Sequence, residues 1–113
     1  MSDKPQVLTR IYDFLLYLIQ QVSKFPKNQR YNLGERIENL ALDVFEGIVE
    51  ALYTKEKTQT LQRANLSLEK IRILLRLSKD LELINLHRYE VMTKMLHEIG
   101  IELGGWIKQQ KTK

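Results

Sequence analysis

Residues 33–53 read LGERIENLALDVFEGIVEALY, and this stretch decides the fold class. Its apolar side chains recur every three or four residues, at Leu33, Ile37, Leu40, Ala41, Val44, Phe45, Ile48 and Leu52. That spacing places them on one face of an α-helix. The other face carries most of the acidic residues, which are Glu35, Glu38, Asp43, Glu46 and Glu50. Asn32 directly precedes the pattern, and Glu35 follows Asn32 by three residues. This spacing predicts an N-cap at Asn32.

Three more segments, at about residues 7–23, 59–83 and 86–109, show the same periodicity. Pro26 is expected to end the first segment, Thr58 or Thr60 to cap the third, and Asn85 to cap the fourth. Four helices joined by short links predict an all-α, up-down-up-down four-helix bundle, with residues 1–113 forming a single domain.

The composition of the 113-residue chain excludes several other classes. Two prolines and five glycines are too few for the turns of a β-rich domain, and the absence of cysteine excludes disulfides and thiolate metal sites. No apolar run reaches the ~18–20 residues of a membrane span. The polar start at residues 1–6 does not resemble a signal peptide, so we expect a cytoplasmic protein without a membrane partner.

The third segment carries two apolar stripes instead of one. One stripe consists of Ala64, Leu68, Ile71, Leu75 and Ser78. The second stripe lies far round the helix and consists of Leu66, Ile73 and Leu77, with Leu74 and Leu81 close to it. Because an apolar stripe left in water is unusual, we predict an oligomer interface at Leu66, Ile73 and Leu77. The alternative is a helix buried deeply inside its own bundle.

Basic residues concentrate in the second half of a chain whose net charge is +4. The candidate phosphate contacts are Arg63, Lys70, Arg72, Arg76, Lys79 and Arg88. Repeated in each copy of an oligomer, such residues could bind a nucleic-acid backbone together. The alternative is a solvated face with local ion pairs, in which Arg72 and Arg76 each pair with Glu69.

No catalytic or cofactor motif is recognisable. His87 and His97 are ten residues apart without partners at metal-ligand spacing, and neither a phosphate-binding glycine loop nor a nucleophile elbow is present. We therefore expect no enzyme, no metal and no cofactor.

Tyr89 and Trp106 are expected in the core. Three glycines lie within the fourth helix, at Gly100, Gly104 and Gly105, and are expected where a neighbouring helix comes close.

Several short motifs carry a family resemblance that covers about residues 7–109. They are Phe25-Pro26, residues 30–39 (RYNLGERIEN), residues 74–77 (LLRL), residues 98–100 (EIG) and residues 103–108 (LGGWIK). The chain resembles the Avd proteins, the accessory variability determinants of diversity-generating retroelements. It is also similar to the wider group of four-helix-bundle proteins encoded by intervening sequences of ribosomal RNA genes. Ile101 departs from the family pattern, where a basic residue is expected.

The resemblance implies a ring-like homopentamer that binds the reverse transcriptase of the retroelement and its template RNA or DNA. Such a protein has no catalytic activity of its own and supports mutagenic cDNA synthesis. The alternative function is a structural, oligomeric protein-interaction module of the ribosomal intervening-sequence type, without a dedicated nucleic-acid role.

Overall fold

The computed structural model describes residues 6–112, and every regular element in that range is helical. Helix α1 spans Gln6–Val22, α3 spans Thr58–Asp80 and α4 spans Leu86–Lys111. Helix α2 is continuous but has three parts: Lys27–Gln29, a π-helical turn at Arg30–Gly34, and Glu35–Leu52. The predicted all-α class with four helices is confirmed.

Each helix packs against the next one along the chain, and α4 packs back against α1. Helices α1 and α3 therefore occupy diagonally opposite corners of a four-helix bundle that measures 46 × 25 × 23 Å. The centre is filled by one or two apolar side chains per helical turn. The largest fully buried ones are Phe14, Ile11, Leu18, Ile37, Ile48, Leu61, Leu68, Ile71, Leu75, Met92, Leu96 and Ile99.

Helix α2 begins at Lys27, so the predicted start at Leu33 with Asn32 as N-cap is wrong. The φ angle of Pro26 is −53°, and its carbonyl accepts the Arg30 amide at 2.8 Å, so the proline that ends α1 also opens α2. The π-helical turn then carries the chain past the end of α1. Gly34 is needed there, because a Cβ atom on it would lie 2.6 Å from Val22 Cγ1.

Helix α3 ends at Asp80, three residues before the predicted Leu83. Glu82 adopts a left-handed conformation with φ of 61°, and the Leu83 amide donates to the Ser78 carbonyl at 2.9 Å. This hydrogen bond closes the helix end as a Schellman motif does. Asn85 then caps α4 as predicted, since its side-chain oxygen accepts the Arg88 amide at 2.8 Å.

The link between α2 and α3 is held by a lysine. Neither Thr58 nor Thr60 caps α3: the N-cap position is Lys57, and Thr60 is buried within the helix. The ammonium group of Lys57 donates to the Ala51 carbonyl at 2.7 Å and also to the Thr54 carbonyl. The lysine thus satisfies carbonyl groups at the carboxyl end of α2, where a positive charge is favourable.

Candidate nucleic-acid interface

Helix α3 shows both of the predicted apolar stripes, but only one of them is buried in the single chain. Ala64, Leu68, Ile71, Leu75 and Ser78 are buried in the core. Leu66, Ile73 and Leu77, which we call the α3 ridge, are 56%, 68% and 43% exposed. The chain therefore leaves apolar surface on α3 uncovered, and the deeply buried alternative for this helix is excluded.

Two of the candidate cations on α3 are held by contacts with α4. The Arg72 guanidinium lies 2.8 Å from Glu69 and donates to the Leu96 carbonyl at 3.4 Å. The missing side chain of Gly100 makes this approach possible, because a Cβ atom there would lie 2.8 Å from Arg72 Nη2. Lys79 lies 4.9 Å from the centre of the Tyr89 ring, within the range of a cation–π interaction.

Arg76 is the most accessible of the three arginine and lysine side chains at this part of α3, with 74% of its side chain exposed. Its nearest carboxylate is Asp80, at 4.0 Å. The predicted pairing of Arg76 with Glu69 is wrong, because seven residues along a helix separate them by two turns. The predicted pairing of Arg72 with Glu69 is confirmed.

Arg63 and Lys70 lie on the side of α3 that faces α2, away from Arg72 and Lys79. Arg63 lines a cleft of about 290 Å³ together with Asp43, Glu46 and Glu50. Lys70 lines a larger cleft of about 740 Å³, whose other charged residues are Glu35, Arg36 and Asp43. Because carboxylates line both clefts, the positive potential around these two cations is reduced.

Arg88 lies in the first turn of α4 and is partly buried. It directly precedes Tyr89, so it lies about 100° round the helix from the residue that faces Lys79. The six candidate residues therefore do not form one strip. The structure brings Arg72, Arg76 and Lys79 together on the α4 side of α3, and it places Arg63, Lys70 and Arg88 elsewhere.

The outer surface of α4 adds two lysines that sequence reasoning missed. Lys94 and Lys108 are both exposed, and neither forms an ion pair within residues 6–112. Their separation of 14 residues is close to four helical turns, so periodicity alone could have placed them on one face. We use the name basic face for these two lysines of α4 together with Arg72, Arg76 and Lys79 of the adjoining helix α3.

The glycines of α4 behave in two ways. Gly100 lies where a neighbouring helix comes close, as predicted. For Gly104 and Gly105 the prediction is wrong within the single chain, since a Cβ atom on either would meet nothing within 4 Å among the described residues. Both are exposed on the outer surface of α4, between Ile101 and Lys108.

The acidic surface of α2 lies on another side of the bundle. Glu35, Asp43, Glu46 and Glu50 are exposed, whereas Glu38 is half-buried. Burial raises the pKa of Glu38 above its ordinary value of 4.5, and the negative charge of Glu35 raises this pKa further. Over residues 6–112, no three His, Asp or Glu side chains are arranged to hold a metal ion.

No helix in the described part of the chain is both long enough and apolar enough to cross a membrane. A search of curated proteins gave no match. The family model described as bAvd-like matches residues 7–110, which is nearly the whole chain. This match covers all four helices of the bundle, including the basic face and the α3 ridge, and the chain therefore belongs to the bAvd-like family.

Proposed function

We propose that this protein is a non-enzymatic accessory factor of a diversity-generating retroelement. In this role it binds the reverse transcriptase and the template RNA or its cDNA, and it supports mutagenic copying. Membership of the bAvd-like family over residues 7–110 is the observation that carries the proposal. No cofactor takes part, and the protein acts by binding alone.

The basic face is the surface that we assign to nucleic acid. Its exposed ends are Arg76, Lys94 and Lys108, which can each approach a backbone phosphate without giving up a strong internal ion pair. Arg72 and Lys79 are partly exposed and lie where α3 packs against α4. Contacts of this kind are electrostatic and independent of base sequence. Arg63, Lys70 and Arg88 are secondary candidates, because they lie outside this face.

The acidic surface of α2 is the surface that we assign to the reverse transcriptase. A polymerase that binds nucleic acid is itself basic around its binding groove, and Asp43, Glu46 and Glu50 form a complementary negative surface. The α3 ridge then remains for self-association, for which the family resemblance implies a homopentamer. In this division nucleic acid binds on α3 and α4, whereas the reverse transcriptase and a second copy bind adjoining surfaces of α2 and α3.

The sharpest test of nucleic-acid binding is Arg76→Glu, because Arg76 has fewer structural contacts than Arg72 and Lys79, the other two α3 residues of the basic face. We expect RNA affinity to fall, and the slope of log affinity against log salt concentration to decrease by about one unit. Filter binding of the template RNA between 50 and 200 mM salt measures both. The matched control is Lys55→Glu, which makes the same charge change in the α2–α3 link. Equal affinities for the two variants would contradict the assignment.

The second candidate function is a structural interaction module without a nucleic-acid role. It is favoured by the internal contacts of Arg72 and Lys79, which reduce the number of free cations on α3. This candidate predicts that RNA affinity does not depend on salt or on Arg76. It also predicts that reverse transcriptase binding, measured by co-purification, survives charge reversal at Arg72 and Arg76.

A further inference from the structure

A second exposed apolar surface lies on α1. Tyr12, Leu16 and Ile19 are spaced four and three residues apart, so they share one face of the helix, and they are 50–54% exposed. We call them the α1 strip. The buried face of α1 runs through Ile11, Phe14 and Leu18, and Ile19 lies outside it.

The α1 strip and the α3 ridge lie on opposite sides of the bundle, because α1 and α3 occupy diagonal corners. If two copies paired ridge to ridge, the resulting twofold dimer would leave the α1 strip of each copy in water. Two different apolar surfaces on opposite sides are instead typical of a head-to-tail contact, in which one surface of each copy binds the other surface of the next.

The surface beside the α3 ridge has a shape that can receive another helix. Ile73 borders the cleft of about 740 Å³ between α2 and α3, and Tyr31, Leu40 and Leu74 also line this cleft. Leu40 and Leu74 are partly buried and form apolar walls. Large side chains that project from a docked helix can enter such a cleft, and Tyr12 and Leu16 are of suitable size.

The α2–α3 cleft carries charges of both signs, and Lys70 is the charged residue of the cleft that lies along the α3 ridge itself. Asp13 is exposed beside Tyr12, whereas the one basic residue of α1, Arg10, binds Glu98 and Glu102 of α4. Lys70 follows Leu66 by four residues and precedes Ile73 by three, so it lies along the α3 ridge. Among residues 6–112, Lys70 forms no ion pair. A carboxylate beside the α1 strip thus matches an ammonium group within the α3 ridge.

We propose that the α1 strip of one copy packs on the α3 ridge and the adjoining α2–α3 cleft of a second copy, with Asp13 beside Lys70. The proposal rests on the self-association that forms part of the proposed function, and it specifies which surfaces meet. Each copy then offers one surface of each kind, so the contact repeats from copy to copy until a ring closes.

Mixing two variants tests this arrangement. Leu16→Lys disables the α1 strip and Ile73→Lys disables the α3 ridge, and each variant alone is expected to be a monomer of 13.4 kDa in light scattering at tens of micromolar. An equimolar mixture is expected to form a dimer of twice that mass, because one intact α1 strip and one intact α3 ridge remain. Both positions are exposed, so circular dichroism is expected to show folded chains.

A ridge-to-ridge contact gives the opposite result: Leu16→Lys would keep the mass of the parent, and the mixture would contain no new dimer. Either finding overturns the proposal, as does a monomeric parent at tens of micromolar. Ile101→Lys makes the same change at an exposed apolar residue of α4 and is expected to keep the parent mass. Dissociation of this control would place the contact on α4 and would also overturn the proposal.

A charge exchange tests the same contact without disturbing its apolar residues. Asp13→Lys alone is expected to weaken assembly, and adding Lys70→Asp to the same chain is expected to restore it. Failure of the double variant to recover overturns the pairing of Asp13 with Lys70. RNA binding by the Leu16→Lys variant, measured separately, distinguishes a wrong contact from a wrong function, because Leu16 is not among the candidate nucleic-acid contacts.

Discussion

At the scale of single residues, Glu38 is a carboxyl group whose pKa is shifted by its surroundings. Burial and the nearby Glu35 raise the pKa of Glu38 in the folded chain above its value of 4.5 in the unfolded chain. The folded state therefore binds this proton more tightly than the unfolded state does. Stability from this group is present below pH 4.5 and is lost as the pH rises through the folded-state pKa.

The substitution Glu38→Gln replaces the carboxyl group with a neutral amide, so the variant does not lose stability through ionisation at this position. We expect the variant to have a larger free energy of unfolding than the parent at pH 7 and the same free energy near pH 3.5, measured by urea denaturation. Glu35→Gln is the companion variant, and it is expected to lower the pKa of Glu38 in an NMR titration. A parent that is as stable as Glu38→Gln at pH 7 would contradict the argument.

Replacing glycine by alanine is expected to change the free energy of unfolding in opposite directions at two positions. Gly104 lies in open space within α4, so Gly104→Ala gains helix propensity, by up to about 1 kcal/mol in the free energy of unfolding. Gly34 is buried, and a Cβ atom there would lie 2.6 Å from Val22 Cγ1, so Gly34→Ala is expected to destabilise the chain. Urea denaturation compares both variants with the parent. An unstable Gly104→Ala variant would show that the outer surface of α4 is not open.

At the scale of the elements, the sequence predicts most of the fold because burial imposes a period on each helix. The stripe through Ile37, Val44 and Ile48 can be read directly, and so can the double stripe of α3. The start of α2 could not be predicted from the sequence. It depends on Pro26, which both follows α1 and precedes the first residue of α2, and on a π-helical turn in which Gly34 packs against Val22. No periodicity encodes either feature.

The candidate site could be predicted only in part, for a related reason. Periodicity places a cation on a face of its own helix, but it does not say what the neighbouring helix puts opposite. Arg63 proves to lie beside Glu46 and Glu50 of α2, and Lys79 beside Tyr89 of α4. The sequence did not predict the α1 strip, because Tyr12 and Leu16 are interspersed along the chain with the buried apolar residues of α1, whose period dominates the pattern.

At the scale of the whole molecule, the proposed self-association through apolar surfaces on opposite corners is expected to make stability depend on concentration. Association that occurs only between folded chains stabilises them by mass action, and the gain is about 1.4 kcal/mol for each tenfold rise in concentration above the dissociation constant. For a domain of this size, the corresponding rise in Tm is about 4–8 °C. We expect a rise of this size for each tenfold step when the parent is scanned by calorimetry from a few micromolar to a few hundred micromolar.

The variant Leu16→Lys separates this effect from the intrinsic stability of the bundle. Because Leu16 is half-exposed in the single chain, its replacement leaves the core of α1 intact, and the Tm at the lowest concentration is expected to stay close to that of the parent. The Tm of the variant is expected not to rise with concentration, since the substitution removes the proposed contact through the α1 strip. Parallel Tm curves for the two proteins would mean that α1 plays no part in assembly, and the uncovered strip would then need another partner.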